Sequence, residues 1–433
     1  MKKPNIIYLH SHDTGRYIQP YGHNVPTPNM QRLAAEGMLF RQAFCAAPTC
    51  SPSRAALLTG QSSHSSGMLG LAHRGFGLND YSQHLVTALK GAGYYTVLAG
   101  MQHVAREVEL IGYDQDLKAK SKGVAEVAPK AVEFLHNAPA QPFFLDIGFH
   151  ETHLPFPEPG PDEDPRYCLP PAPLPDTPRT RYNMAGYKAS ARVLDGGIGK
   201  VLDALEANGL AENTLVINTT DHGLAFPGMK CNLTDHGMGV LLIARGPGGF
   251  DGGKVCDAMV SHLDLFPTIC ELAGIDSPAW LQGTSILPLV RGEVEEINEE
   301  VFAEVTFHAA YEPQRAVRTK RWKYIKRFAE RQMPVLPNCD DSPSKDEWLD
   351  HGWRQRQVAS EQLYDLIFDA NETNNLAADT AMESVLGDMR QRLQSWMQRT
   401  DDPLLNGPVA PPSGAKINPS DSLSPREEPK VIP

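Results

Sequence analysis

Cys50 opens the stretch Cys50-Ser51-Pro52-Ser53-Arg54-Ala55-Ala56-Leu57-Leu58-Thr59-Gly60. A proline two residues on, then good helix formers and a closing glycine, predict a helix whose first turn begins just past the cysteine. Free backbone N–H groups and the positive end of the helix dipole then converge on Cys50, a position suited to an anionic substrate or a nucleophile. The same place suits a small buried cysteine at a helix entry, and local physics by itself leans slightly to that plainer reading. A second group of reactive side chains, His10, Ser11, His12, Asp13 and Gly15, follows the apolar run Asn5-Ile6-Ile7-Tyr8-Leu9. The run alternates too little for a half-exposed strand, so it reads as a central strand of a parallel sheet. Open α/β sheets place their ligands at the carboxyl ends of such strands.

Further elements deliver similar tips. A β-branched and aromatic strand over 94–99 leads into Gly100-Met101-Gln102-His103, and a central strand over 142–149 ends in His150-Glu151-Thr152-His153-Leu154-Pro155. A long amphipathic helix over 184–207, with Leu194, Ile198, Val201, Leu202 and Leu205 on one stripe, feeds a strand over 214–218 and then Thr219-Thr220-Asp221-His222-Gly223. Helices are also expected over 30–36, 81–91 and 125–137, and a further strand over 240–244. The proline-dense segment 155–178 is a surface excursion of the kind that forms lids. From Asn298 the pattern changes to short strands over 301–305, 315–319, 322–327 and 362–367, then a helix over 382–399. The chain therefore reads as an α/β catalytic domain over 1–297 and a smaller subdomain over 298–402. Residues 403–433 form a proline-rich tail that should not fold in isolation and is expected to order along a neighbouring subunit, making a homo-oligomer.

The bulk properties exclude several classes. The formal charge of −12 disfavours a nucleic-acid surface, and no apolar run approaches a membrane span. Seven cysteines without close pairing argue against a disulfide framework. The start, Met1-Lys2-Lys3-Pro4, reaches polar His10 too soon for a secretory segment, so the mature chain is expected to begin at Met1 and stay in the cytoplasm.

The Cys50-x-Pro52-x-Arg54 motif, with the Ala-x-Leu-x-Thr-Gly that follows, resembles the signature of the type I sulfatases in the alkaline phosphatase superfamily. The resemblance implies a large, mixed, mostly parallel sheet sandwiched by helices, with a small C-terminal antiparallel sheet plus helix. It also implies that a formylglycine-generating system oxidises Cys50 to formylglycine, whose hydrate is the nucleophile, with Arg54 steadying it. One divalent ion, Ca2+ or Mn2+, is then held by Asp13, Asp221, His222 and the Cys50-derived group. His12, where the family has an aspartate, either ligates or only hydrogen-bonds. Lys230 and His153 face the leaving-group oxygen, and His103 takes the proton from the second hydroxyl. Where the family carries a lysine before His103, this chain has Met101, so that positive charge must come from elsewhere. Glu304-Val305-Thr306-Phe307-His308 resembles the N-sulfoglucosamine sulfohydrolase branch and makes His308 a substrate-binding candidate, a structural role being the alternative; His64 and the 261–275 segment read as structural. The expected activity is hydrolysis of small sulfate esters. The rivals are a phosphonate monoester or phosphodiester hydrolase, which Asp221-His222 and Met101 favour, an N-sulfatase, and an unconverted binding protein.

Overall fold

The computed structural model describes residues 3–433; Met1 and Lys2, on which the reading of the chain start rests, lie outside the described residues. Strands β1 (Asn5–Ser11), β2 (Met38–Phe44), β3 (Tyr95–Gly100), β4 (Gln115–Asp116), β5 (Phe143–Gly148), β6 (Thr214–Thr220), β7 (Leu242–Arg245) and β8 (Lys254–Ser261) form one sheet in the order β4-β3-β5-β1-β6-β7-β2-β8. All neighbours are parallel except β7, which runs antiparallel to β6 and to β2. β1 is central and buried along its whole length, because helices cover both faces. Its register sets His10 opposite Gly148 on β5 and Thr219 on β6, while Gly100 on β3 also pairs with Gly148. Four strands thus end in one layer, and the polar residues that follow them share one crevice.

The helix Cys50–Thr59 begins at Cys50 itself and ends at Gly60, whose φ of 67° is the left-handed cap a glycine adopts freely. The long helix is Pro178–Ala207, six residues longer at its start than its apolar stripe suggests. Pro178 sits in the first turn and the Thr177 hydroxyl accepts the Thr180 N–H. The helix expected over 81–91 is divided at His84, whose Nδ1 accepts the Val86 N–H at 3.2 Å, leaving a short turn before the helix Leu85–Gly91.

Strands β9 (Glu300–Phe307), β10 (Tyr311–Thr319), β11 (Trp322–Arg327) and β12 (Glu361–Asp365) form an antiparallel sheet in the order β12-β11-β10-β9. One face packs under the helix Glu383–Arg399 through Leu386, Met389, Leu393 and Trp396. The other carries Val301, Ala303 and Val305 onto Phe44, Met238 and Met259 of the main body. Buried charges pin this contact: Arg315 pairs with Asp402 and Glu304, and Glu304 accepts from His64 at 2.9 Å. His64 lies within this buried charge network. All seven cysteines are free.

The tail packs on its own chain, through a small ribbon of β13 (Lys416–Ile417) and β14 (Lys430–Val431). Ala415 is fully buried in the core cluster that includes Phe76 and Phe307. A proline-rich stretch too polar to form its own core can still order by laying a few apolar residues on an existing one.

Candidate active site

His12 and Asp13 follow β1, and Asp221 and His222 follow β6. The two turns are bonded to each other: the Asp13 N–H donates to Asp221 Oδ1 at 2.8 Å and the Gly15 N–H to the His222 carbonyl at 2.9 Å. Asp13 has φ 54° and His103 φ 59°, left-handed conformations that cost energy in non-glycine residues and concentrate at functional sites. His12 Nδ1 lies 2.9 Å from Asp13 Oδ1 and 3.2 Å from Asp221 Oδ2. His222 Nε2 lies 3.3 Å from Asp13 Oδ1 and 3.5 Å from Cys50 Sγ. Cys50 Sγ sits in the first turn of its helix, beside these side chains. Its thiol is pushed well above the usual range by burial, with Asp13 and Asp221 adding to this and Lys230 opposing.

The donor set fits a cation. His12, Asp13, Cys50 and Asp221 bring ligand atoms within 4.8 Å of one another, all buried. His222 Nδ1 donates to the Gly223 carbonyl at 2.9 Å, which turns Nε2 toward Asp13 and Cys50. Burial holds the His12 imidazole down to about 3, so it is neutral and able to donate a lone pair. Lys230 offsets the charge of Asp13 and Arg54 that of Asp221, and a divalent ion bound between the two carboxylates would add to this compensation. Elemental analysis of purified protein is therefore expected to find one divalent ion per chain, and His222→Ala to weaken its binding at least about tenfold. Equal affinity in the two proteins would remove His222 from the ligand set.

Arg54, expected to steady the group at Cys50, also holds the neighbouring turns: its guanidinium binds His10 Nδ1, the Ser11 carbonyl at 2.8 Å and Asp221 Oδ2 at 2.9 Å. His10 is in turn held by Asp146 at 2.8 Å. Gly148 allows this: a Cβ there would lie 1.9 Å from the Met101 carbonyl and 2.4 Å from the His10 ring.

Lys230 Nζ donates to Asp13 Oδ2 at 3.1 Å and Asp340 Oδ2 at 2.8 Å. Burial by itself would strip its proton, but Asp13 and Asp340 outweigh it and hold the ammonium well above its usual range. His153 Nε2 is 3.9 Å from Asp13 Oδ2, and its ring meets His12 edge-on at 4.7 Å, with His150 stacked behind at 5.0 Å. His103 brings a ring nitrogen within 4.8 Å of Cys50 and His12. Burial, reinforced by His12 and His73, keeps it well below the usual range and so available as a base. His308 is buried, with an unpartnered Nδ1, within electrostatic reach of Lys230, Asp340 and His222. The crevice therefore gathers every candidate named from the sequence. Three wide surface clefts, of about 740, 690 and 520 Å3, are lined by other residues.

Two side chains were missed. Asp340, from the loop after β11, completes the Lys230 pair, and the charges of Lys230 and His153 overcome burial to hold it down to about 2. His73 Nδ1 lies 3.0 Å from His103 Nε2 with the rings stacked. Neither sits beside a motif; the Asp340-Asp341 doublet ahead of Ser342-Pro343 was the available signal.

Residues 4–275 match the family model described as Sulfatase, and residues 229–349 match the one described as N-sulphoglucosamine sulphohydrolase, C-terminal. The chain is 29% identical to the human (Homo sapiens) N-sulphoglucosamine sulphohydrolase over 93% of its own length and 92% of that protein's. It is 29% identical to an ulvan-active sulfatase of Formosa agariphila, covering 99% and 87%. A solved structure of a complex with D-glucosamine-2-N,6-O-disulfate shares the fold with a TM-score of 0.73 at 20% identity, covering 94% of this chain and 99% of that one.

Proposed function

The chain belongs to the sulfatase family, and we infer that its reaction, hydrolysis of sulfuric esters, runs on a formylglycine made from Cys50. The observation that carries this is the convergence of Asp13, Asp221 and two imidazoles on the Cys50 side chain at the head of its helix. Conversion of Cys50 supplies a geminal diol as nucleophile, and a divalent ion bound by His12, Asp13, Asp221 and His222 supplies charge neutralisation. Two nitrogen and two carboxylate donors favour Mn2+ or a similar transition ion over Ca2+, which prefers an all-oxygen shell.

The chain's own side chains do the rest. Lys230 holds a positive charge where the sulfate and the departing oxygen meet, and Asp340 fixes its direction. His153 stands beside Lys230 to donate a proton to the leaving group. His103, kept neutral by burial, removes a proton from the nucleophilic residue so that sulfate is released, and His73 orients its ring. Arg54 keeps Asp221 ionised and aimed.

An N-sulfate is the second reading, favoured by the match of residues 229–349, which include Asp340, to the sulphohydrolase C-terminal model. The test is a panel on metal-replete protein whose conversion at Cys50 is verified by mass: an aryl sulfate, an N-sulfated hexosamine and an aryl phosphonate ester. We expect sulfate turnover to exceed phosphonate turnover. A phosphonate preference of several decades in kcat/KM overturns the reading.

A further inference from the structure

The tail does more than cover apolar surface. It ties together three segments around the crevice. Arg74, next to His73, donates to the Lys416 carbonyl at 3.3 Å, to Asn418 Oδ1 at 2.7 Å and to the Pro425 carbonyl at 3.1 Å. The Asn418 N–H donates to the carbonyl of Ala309, the residue after His308, at 2.8 Å. Ser424 Oγ donates to Asp341, the residue after Asp340, at 2.5 Å, and Arg426 lies 3.7 Å from the same carboxylate. Gly75 lets the strap lie this close, since a Cβ there would stand 3.0 Å from Ala415 Cα.

The strap brings charge with it. Every hydrogen bond that Arg74 makes goes to a neutral oxygen, and Lys416 is exposed; neither pairs with a carboxylate among the described residues. In a chain of net charge −12, these two neighbouring cations form a local positive edge. Arg74 follows His73 directly and its guanidinium lies 3.3 Å from the Lys416 carbonyl, so both residues border His73. The line from Lys416 through His73 and His103 to His12 therefore runs from solvent to the cation-binding residues. This edge borders the Cys50 site through His73, whose Nδ1 lies 3.0 Å from His103 Nε2.

We propose that the Arg74–Lys416 edge, held in place by the C-terminal strap, is a subsite for a second anionic group, a carboxylate or another sulfate, on the substrate's leaving-group side. This rests on the sulfatase reading and narrows its substrate class. Arg74 is committed to the strap and supplies charge at fixed position; Lys416 supplies a mobile ammonium that reaches the anion.

The test compares a monosulfated neutral hexose, the corresponding sulfated uronic acid and the corresponding disulfate on the full-length, converted protein. Wild type is expected to prefer the two dianions by about tenfold or more in kcat/KM, and the pair separates a carboxylate from a sulfate as the favoured group. Lys416→Glu is expected to raise KM for the preferred dianion at least about tenfold more than for the neutral sugar, with the effect in KM rather than kcat, and Lys416→Arg to restore most of it. Because Lys416 is exposed, these variants keep the fold. Equal changes on all three substrates, or no wild-type preference, overturn the subsite while leaving the sulfatase reading standing. Failure of wild type to hydrolyse any of the three overturns both.

Discussion

Cys50→Ala is expected to abolish turnover, by at least about 10^4-fold, with little change in melting temperature. Cys50 is 2% exposed in the first turn of its helix, and alanine is smaller and a better helix former, so the fold has no reason to suffer. What is lost is the side chain that lies beside His222 and the two carboxylates and that the proposed reaction turns into its nucleophile. Mass analysis of the peptide spanning Cys50 provides the companion reading: the wild-type peptide loses sulfur and gains an aldehyde, whereas the variant peptide has nothing to convert. Retention of about one per cent or more of wild-type kcat/KM by the variant would transfer the nucleophile's role to another group or to water.

Arg315→Met is expected to cost about 3–5 kcal/mol of stability, read from the urea midpoint. Arg315 is fully buried and is shared by Asp402, at 2.5 Å and 3.0 Å, and by Glu304 at 3.1 Å. Removing it leaves two buried carboxylates, Asp402 and Glu304, with His64 as their one remaining basic neighbour among the described residues. Burial raises the Glu304 carboxyl, but the charges of His64 and Arg315 outweigh this and hold it down to about 2 against an ordinary 4.5. Its folded-state value is depressed, so the unfolded chain binds the proton more readily. The stabilisation is present above about pH 4.5 and is lost as pH falls toward 2. Wild type should therefore lose stability across that window more steeply than Glu304→Gln, which has no proton to take up. Parallel pH profiles would show that the network carries no linked charge.

Much of this was legible along the chain because it depends on local spacing. Cys50, Pro52, Arg54 and Gly60 specify a helix entry by their order alone, and the uninterrupted apolar runs of β1 and β5 announce strands buried on both faces. Strands β2 and β8 escaped because exposed Arg41 interrupts one and the other begins with exposed Lys254 and Val255 at the sheet edge. Asp340 escaped for a different reason: its meaning comes from Lys230, a hundred and ten positions away, and no periodicity marks such a pair.

The order of residues thus determined the chemistry on offer: a convertible cysteine at a helix head and acid–imidazole tips on successive strands. Only the tertiary structure decided what surrounds it. Strand register aligned the four tips in one layer, Arg54 was turned onto Asp221, and the tail closed on Arg74, Ala309 and Asp341. The division follows from physics, since a helix start or a buried strand is set by neighbours a few residues apart. A buried charge pair or a strap over a crevice is stabilised only when distant segments exclude water between them.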